Sequence, residues 1–285
     1  MSTIEVPNVA PATYVSPPTR EGLRFGLFSV ANMISNPESR WEMGVEWEPF
    51  DCGMGGAVSV VCDEPAGVPI EIENGDGVGE LVNAQPFAVF GRYRCSAFSR
   101  SLDEAEERAR AHLALIEERQ VERAIMHGDV DNTSTFVGAT DLTPGAGDAV
   151  PVHEGLGLLE EYLGTTYGGQ GVVHLPRRLG PHATSGLISR QGQRLETMLG
   201  TLVAAGAGYD VENVGPDGTP AGAGERWVYA TGRPHVRRSD VFVMPDADHY
   251  LDRENNDVSV IAQRLYAVGW ECATGAVLVQ TAESA

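Results

Sequence analysis

The acidic stretch DADHYLDRENND, residues 246–257, is the first place to look for chemistry, because Asp246, Asp248, Asp252 and Asp257 could turn several carboxylates toward one cation. An EF-hand loop needs an oxygen ligand at its fifth position and glycine at its sixth, where this chain has Tyr250 and Leu251. A solvated acidic turn is the better reading. GDVDNTS (128–134) has Asp129 and Asp131 but no closing glutamate, and reads as an acidic loop. TYGGQGVVH (166–174) is glycine-rich, yet it has neither the Lys-Ser/Thr of a P-loop nor a dinucleotide fingerprint. Its glycines serve turn geometry. His174 and His182 flank a proline-containing turn without an H-E-x-x-H pair, and Ser185 sits in A-T-S-G-L, outside a G-x-S-x-G elbow. No catalytic, cofactor-binding or metal-binding residue is assigned. The expectation is a protein that is not an enzyme and takes no cofactor.

The cysteines add little local signal. Cys52, Cys62, Cys95 and Cys272 form no C-x-x-C pair, so a structural zinc site is not expected. A Cys52–Cys62 disulfide is one option. Free, partly buried thiols are the favoured one for a protein expressed inside a cell. That compartment is the expectation from an N-terminus with no basic start and no apolar core. No apolar run approaches a membrane span.

Charge narrows the classes further. The formal net charge is −20, which disfavours nonspecific binding to nucleic acid or anionic membrane over most of the surface. Every basic residue is arginine, which excludes a Schiff-base or P-loop lysine. At 285 residues the chain can bury a sizeable core in one large domain or two joined ones.

One element must position everything else. Ser101 to Gly128 is the single long helical signal. Ser101 and Glu104 make a capping box, and Gly128 is a natural residue to end on. Leu102, Ala105, Ala109, Leu113, Ile116, Ala124 and Ile125 recur at helical spacing. Glu104–Arg108 and Glu106–Arg110 are favourable i,i+4 pairs. Residues 1–22 read as an extended arm, and 24–34 as a short helix. Residues 45–95 read as β, a long antiparallel excursion with turn signals at ENGDGVGELVN (73–83). Such a projection is marginal alone and should rest on another copy. Further on, 138–151 reads as a loop, 152–164 as a helix and 171–176 as a buried strand. RRLGPHATSGLI (177–188) reads as helix or turn, 199–210 as strand then loop, and 211–225 as surface loop. Strands are expected at 226–232, 235–245, 256–270 and 275–281.

Arm, β excursion, long helix, mixed α/β region, closing strands: this order resembles a tailed-bacteriophage major capsid protein of the Hong Kong 97-type fold. ENNDVSVIAQRLYAVGWECATGAVLVQT is similar to that family's closing pattern, an asparagine, a strand carrying an arginine, a turn and a last apolar strand. YGGQGVVHLPRRLGPHATSGLI and LGTLVAAGAGYD are similar to head proteins of actinobacterial phages. The resemblance implies an α+β fold with an N-arm at 1–40 and an E-loop region at 41–97. It puts the spine helix and first part of the peripheral domain at 101–165, an axial domain at 166–225 and the second part of the peripheral domain at 226–285. It also implies hexamers and pentamers of an icosahedral virion shell, assembled in the bacterial host cytoplasm around double-stranded DNA that is not read by sequence. About 40 residues before the excursion are too few for a fused scaffolding segment, which implies a separate scaffolding protein beside a portal and room for a decoration protein. The lack of lysine excludes the family's lysine–asparagine cross-link. An encapsulin-like nanocompartment is the alternative of the same architecture. A soluble metal-dependent hydrolase built on Asp246–Asp257 is the alternative of another class.

Overall fold

Among the described residues of the computed structural model, four strands precede the long helix: β1 (Asn32–Ser35), β2 (Val45–Trp47), β3 (Val82–Ala84) and β4 (Phe87–Ser96). The structure describes residues 18, 20–35, 40–49, 52, 81–96, 101–145, 147–183, 186–210, 212–245, 251–252, 257–272 and 274–281. Residues 1–17 of the arm expected at 1–22, and residues 53–80 of the expected excursion, lie outside the described residues. Helix α1 (Leu102–His127) follows, then β5 (Thr140–Asp141), α2 (Val152–Tyr162), β6 (Val172–Pro176), α3 (Gly180–Ala183), β7 (Ile188–Gln191), β8 (Arg194–Thr197) and β9 (Leu202–Gly206). The chain closes with β10 (Glu225–Thr231), β11 (His235–Arg238), β12 (Phe242–Pro245), β13 (Leu251–Asp252), β14 (Asp257–Gly269) and β15 (Gly275–Gln280).

Helix α1 forms where its caps demand. The Ser101 side chain accepts the Glu104 N–H, the Glu104 carboxylate accepts the Ser101 N–H, and Gly128 ends the helix at φ 63°, in the left-handed region. Ala105, Ala109, Leu113, Ala124 and Ile125 are buried as expected, whereas Leu102 is exposed. Arg108 lies over the Tyr93 ring and Arg110 donates to the Val241 carbonyl, so the helix's polar side also reaches the strands beside it.

Two sheets flank this helix. In the first, β14 pairs with β4 along one edge and with β11, β12 and β13 along the other, while β1 joins β11 in parallel. Helix α1 lies across β4, so closely that a Cβ on Gly91 would stand 2.8 Å from the Leu113 nitrogen. The second sheet runs β5-β15-β10-β6-β9-β8-β7 and draws on segments before and after residue 225. Its sides differ. Val173, Leu175, Val203, Val228, Ala230, Val277 and Val279 join Leu156, Leu159 and Leu163 of α2 and its end in an aliphatic core. Val172, Leu202, Ala204, Tyr229 and Ala276 face the cluster containing α1. The alternation is the period-two rule applied to a sheet covered on both faces.

Three local expectations are corrected. Residues 24–34 are not a helix: a single 3-10 turn at Leu27–Ser29 gives way to strand β1, because Asn32–Ser35 finds backbone partners in His235–Arg238. Residues 211–225 are not all surface, since Asn213 and Val214 are buried against β10. The cysteine reading also changes. Cys52 is bonded to Cys272, not to Cys62, because folding brings their Cα atoms to 5.8 Å across a sequence separation of 220. Cys95 is free, and Cys62 lies outside the described residues.

Candidate functional site

The densest polar chemistry lies where the N-terminal strap, helix α1 and the second sheet meet. Glu118 and Glu122 stand one helical turn apart on α1. Glu122 is buried; one carboxylate oxygen accepts the Leu27 N–H at 2.9 Å and the other the Gly208 N–H at 2.8 Å. Glu118 accepts the Phe28 N–H at 2.8 Å. The strap fits because Phe25 adopts φ 70° and Gly26 has no side chain; a Cβ there would stand 2.5 Å from a Glu122 oxygen. Gly208 is equally constrained, since a Cβ would run into the Arg119 carbonyl and the Arg123 nitrogen of α1. Arg177 ties the strap down by donating to the Arg24 carbonyl at 2.9 Å and the Ala205 carbonyl at 3.3 Å.

Burial raises both acids. Glu122 is pushed up to about 8 by burial and then by the nearby Glu118 charge, against the pull of its two backbone N–H donors. Glu118 is raised by burial, less the effect of the Phe28 N–H.

Beside this pair lies a buried relay. Thr231 Oγ1 donates to the Gly232 carbonyl at 2.7 Å, so it accepts from His174 Nε2–H at 2.8 Å. That leaves His174 Nδ1 to accept the Tyr209 hydroxyl at 2.9 Å. Phe136 packs on His174, Tyr209, Tyr229 and Trp270, sealing the group in aromatic carbon. Burial pulls His174 down to about 3 and raises the Tyr209 phenol well above its ordinary value. A His–Tyr–Thr chain could in principle move protons. Here His174, Tyr209 and Thr231 are all buried, so the arrangement fixes the orientation of side chains in a core.

The other residues considered from sequence do not converge. Asp246 and Asp248 lie outside the described residues. Asp252 and Asp257 are backbone partners in the β13–β14 pair, and Asp257 accepts from Arg94 at 3.0 Å. Asp129 pairs with Arg123 at 2.9 Å, Asp131 is exposed, His182 is exposed, and Ser185 lies outside the described residues. Among the described residues no three metal-binding side chains cluster, and no helix is long and apolar enough to cross a membrane. Glu118 and Glu122 were not singled out in the sequence. A glutamate pair at i,i+4, unfavourable on an exposed helix, was the available signal.

The surface offers assembly features. Met198 and Leu199 stand exposed at the β8–β9 turn, braced from beneath by Thr197 and Thr201, which both donate to Glu160 at 2.5 Å. Phe242 and Met244 are exposed on β12 beside a hollow bounded by Glu42, Gln263 and Leu265. β2 and β3 form a two-stranded base from which the excursion expected at 41–97 departs and returns, and Trp41, Ala84 and Ala267 pack beneath it.

The chain matches no protein-family model and no curated protein. Solved structures do match. The capsid of an empty GTA particle aligns with a TM-score of 0.51 and 15% identity, covering 93% of this chain and 95% of that one. A chain of Microbacterium phage Oxtober96 aligns with a TM-score of 0.53 and 12% identity over 95% and 96%. The capsid of Ralstonia phage GP4 aligns with a TM-score of 0.50 and 10% identity over 98% and 99%. With two sheets gripping one long helix, and alignment over nearly the whole of each chain, this protein has the Hong Kong 97-type phage capsid fold.

Proposed function

We propose that this chain is a major capsid protein, many copies of which close into hexamers and pentamers of an icosahedral shell around double-stranded DNA. The observation that carries the reading is the end-to-end match to the GTA and GP4 capsid chains. Head-to-tail contacts that close on themselves suit such rings. The division into N-arm, E-loop, spine helix, peripheral and axial regions belongs to the proposal. So do assembly in a host cytoplasm, a separate scaffolding protein, a portal and a decoration protein. The charge of −20 suits a lumen that contains DNA without gripping it.

The test is negative-stain microscopy of the purified chain, alone and co-expressed with the scaffolding protein of its own genome. Closed shells with nuclease-protected DNA in the native particle are expected. Shells filled with an enzyme would favour a nanocompartment. Monomers under every condition, with a stoichiometric metal and activity lost on chelation, would favour the hydrolase. No lysine is available for a cross-link, so particles boiled in detergent with reductant should give one band near 30.4 kDa.

A further inference from the structure

The Cys52–Cys272 pair joins two places that the fold already holds together without it. On one side, β2 pairs with β3 from Val45↔Ala84 to Trp47↔Val82, and Trp47 lies directly on Gly269 at the end of β14. Trp41, Ala84 and Ala267, with Val45, Trp47 and Leu265 against them, make an apolar cluster that owes nothing to sulfur. On the other side, the turn between β14 and β15 is closed by Trp270 Nε1 donating to Thr274 Oγ1 at 2.9 Å. Cys272 sits in that turn at φ 64°, in the left-handed region. These contacts hold the chain near each cysteine in place without the bond. Both cysteines are half-buried, within reach of a small molecule.

We propose that Cys52 and Cys272 are a thiol–disulfide switch, open in a reducing cell and closed outside it by a low-molecular-weight disulfide. The chemistry is two exchanges. The thiolate of one cysteine attacks the small disulfide, forms a mixed disulfide and expels one small thiolate. The second cysteine's thiolate attacks the protein sulfur of that mixed disulfide and expels the other. The net change oxidises two cysteine thiols, reduces one small disulfide to two thiols and releases no other product. Closing the bond pins Cys52, and with it the segment after β2, to the β14–β15 turn. In a shell, a use that rests on the function proposed above, subunits would assemble with this tether open and acquire it after release.

The test uses the full chain, purified with its thiols trapped by alkylation at the moment of lysis, then equilibrated in glutathione buffers of graded ratio. Mass spectrometry should find Cys52 and Cys272 alkylated at lysis and joined to each other in oxidised buffer, with Cys95 still free. A glutamate-specific protease should cut after exposed Glu46 about tenfold more slowly in the oxidised chain, because the tether suppresses local opening. Cys52→Ser should be cut at the reduced rate in both buffers, and Cys95→Ser should behave as the parent. The proposal fails if the pair is already bonded at lysis, if Cys52 pairs elsewhere, or if cleavage is the same in both states. Shells that assemble while the pair never forms would sink the switch alone. A pair that forms and breaks as described in a chain that never assembles would sink the shell reading alone.

Discussion

The two faces of the seven-stranded sheet are built on opposite plans. Toward α2, the buried core is aliphatic: Leu156, Leu159 and Leu163 lie on Val173, Leu175, Val203, Val228, Ala230, Val277 and Val279. Toward α1, the same strands present His174, Thr231 and Tyr229 to Tyr209, Phe136 and the Glu122 carboxyl. The first face is held mainly by burial, which is undirected and tolerant of rearrangement, with Glu160 accepting from Thr197 and Thr201 at its edge. The second is held by groups that must each find a specific partner, because an orphaned polar group in a dry interior is costly. It is also the face on which three distant pieces of chain meet: the strap at 25–28, the middle of α1 and the 206–208 turn. Directional bonds give that junction one geometry, while the aliphatic face supplies stability.

The largest effect should come from the aliphatic face. Leu159 is fully buried, and Leu159→Ala should cost about 3–4 kcal/mol through lost burial and an unfilled cavity. Chemical denaturation should give the same loss at pH 5 and at pH 8, since the buried side chains of that core carry no titrating group. A loss that changed strongly with pH would mean the two faces are not independent.

Next comes the Glu122 pair. A carboxyl held up at about 8 when folded, against 4.5 ordinarily, binds more protons folded than unfolded between those values. Its contribution is therefore complete below pH 4.5 and is lost as pH rises toward 8. Glu122→Gln should flatten that alkaline decline. It should also cost about 2 kcal/mol at low pH, because the amide nitrogen would face the N–H of Leu27 or Gly208, donor against donor. An unchanged decline in the variant would show that Glu122 is not its source.

His174 should act in the opposite sense, over a pH span of similar width. Its folded value of about 3 against 6.5 means that the unfolded chain binds the extra proton. Stability from this residue is complete above pH 6.5 and is lost as pH falls toward 3. In His174→Gln the acid limb should shallow while the alkaline limb stays. Together the two residues predict a stability maximum between pH 4.5 and 6.5 for this face.

What could be seen in the sequence divides along the same line. The capped helix, the apolar strands at 172–176 and 202–206, and α2 were legible because caps and periodicity are local signals. The strap was misread as a helix because its fate is decided by β11, with which Asn32 pairs 203 residues later in the chain. The hairpin of β7 and β8 went unnoticed, since Ile188–Gln191 and Arg194–Thr197 are mostly polar and present little alternation. Glu122 looked like one more charge on a polar helix. Beside the i,i+4 glutamate pair, the small residues at 206 and 208 hinted at a close backbone approach, but nothing local named α1 as the neighbour. The Cys52–Cys272 bond likewise has no local signature at a separation of 220.

The smallest effect should come from a single atom on the polar face. The Tyr209 hydroxyl donates to His174 Nδ1, and its ring packs on Phe136 at a centroid distance of 5.7 Å. Tyr209→Phe keeps the ring and removes one donor, leaving Nδ1 buried without a partner. The cost should be about 1 kcal/mol, set by that lost hydrogen bond. The imidazole has a second response. Its ring proton can move from Nε2 to Nδ1 only by abandoning Thr231, whose own hydroxyl proton is committed to Gly232. The tautomer should therefore persist in the variant, and nitrogen chemical shifts of a labelled His174 should report the same protonated nitrogen in both proteins. A tautomer flip, with stability unchanged, would show that the polar face adjusts as freely as the aliphatic one, and the contrast drawn between them would fall.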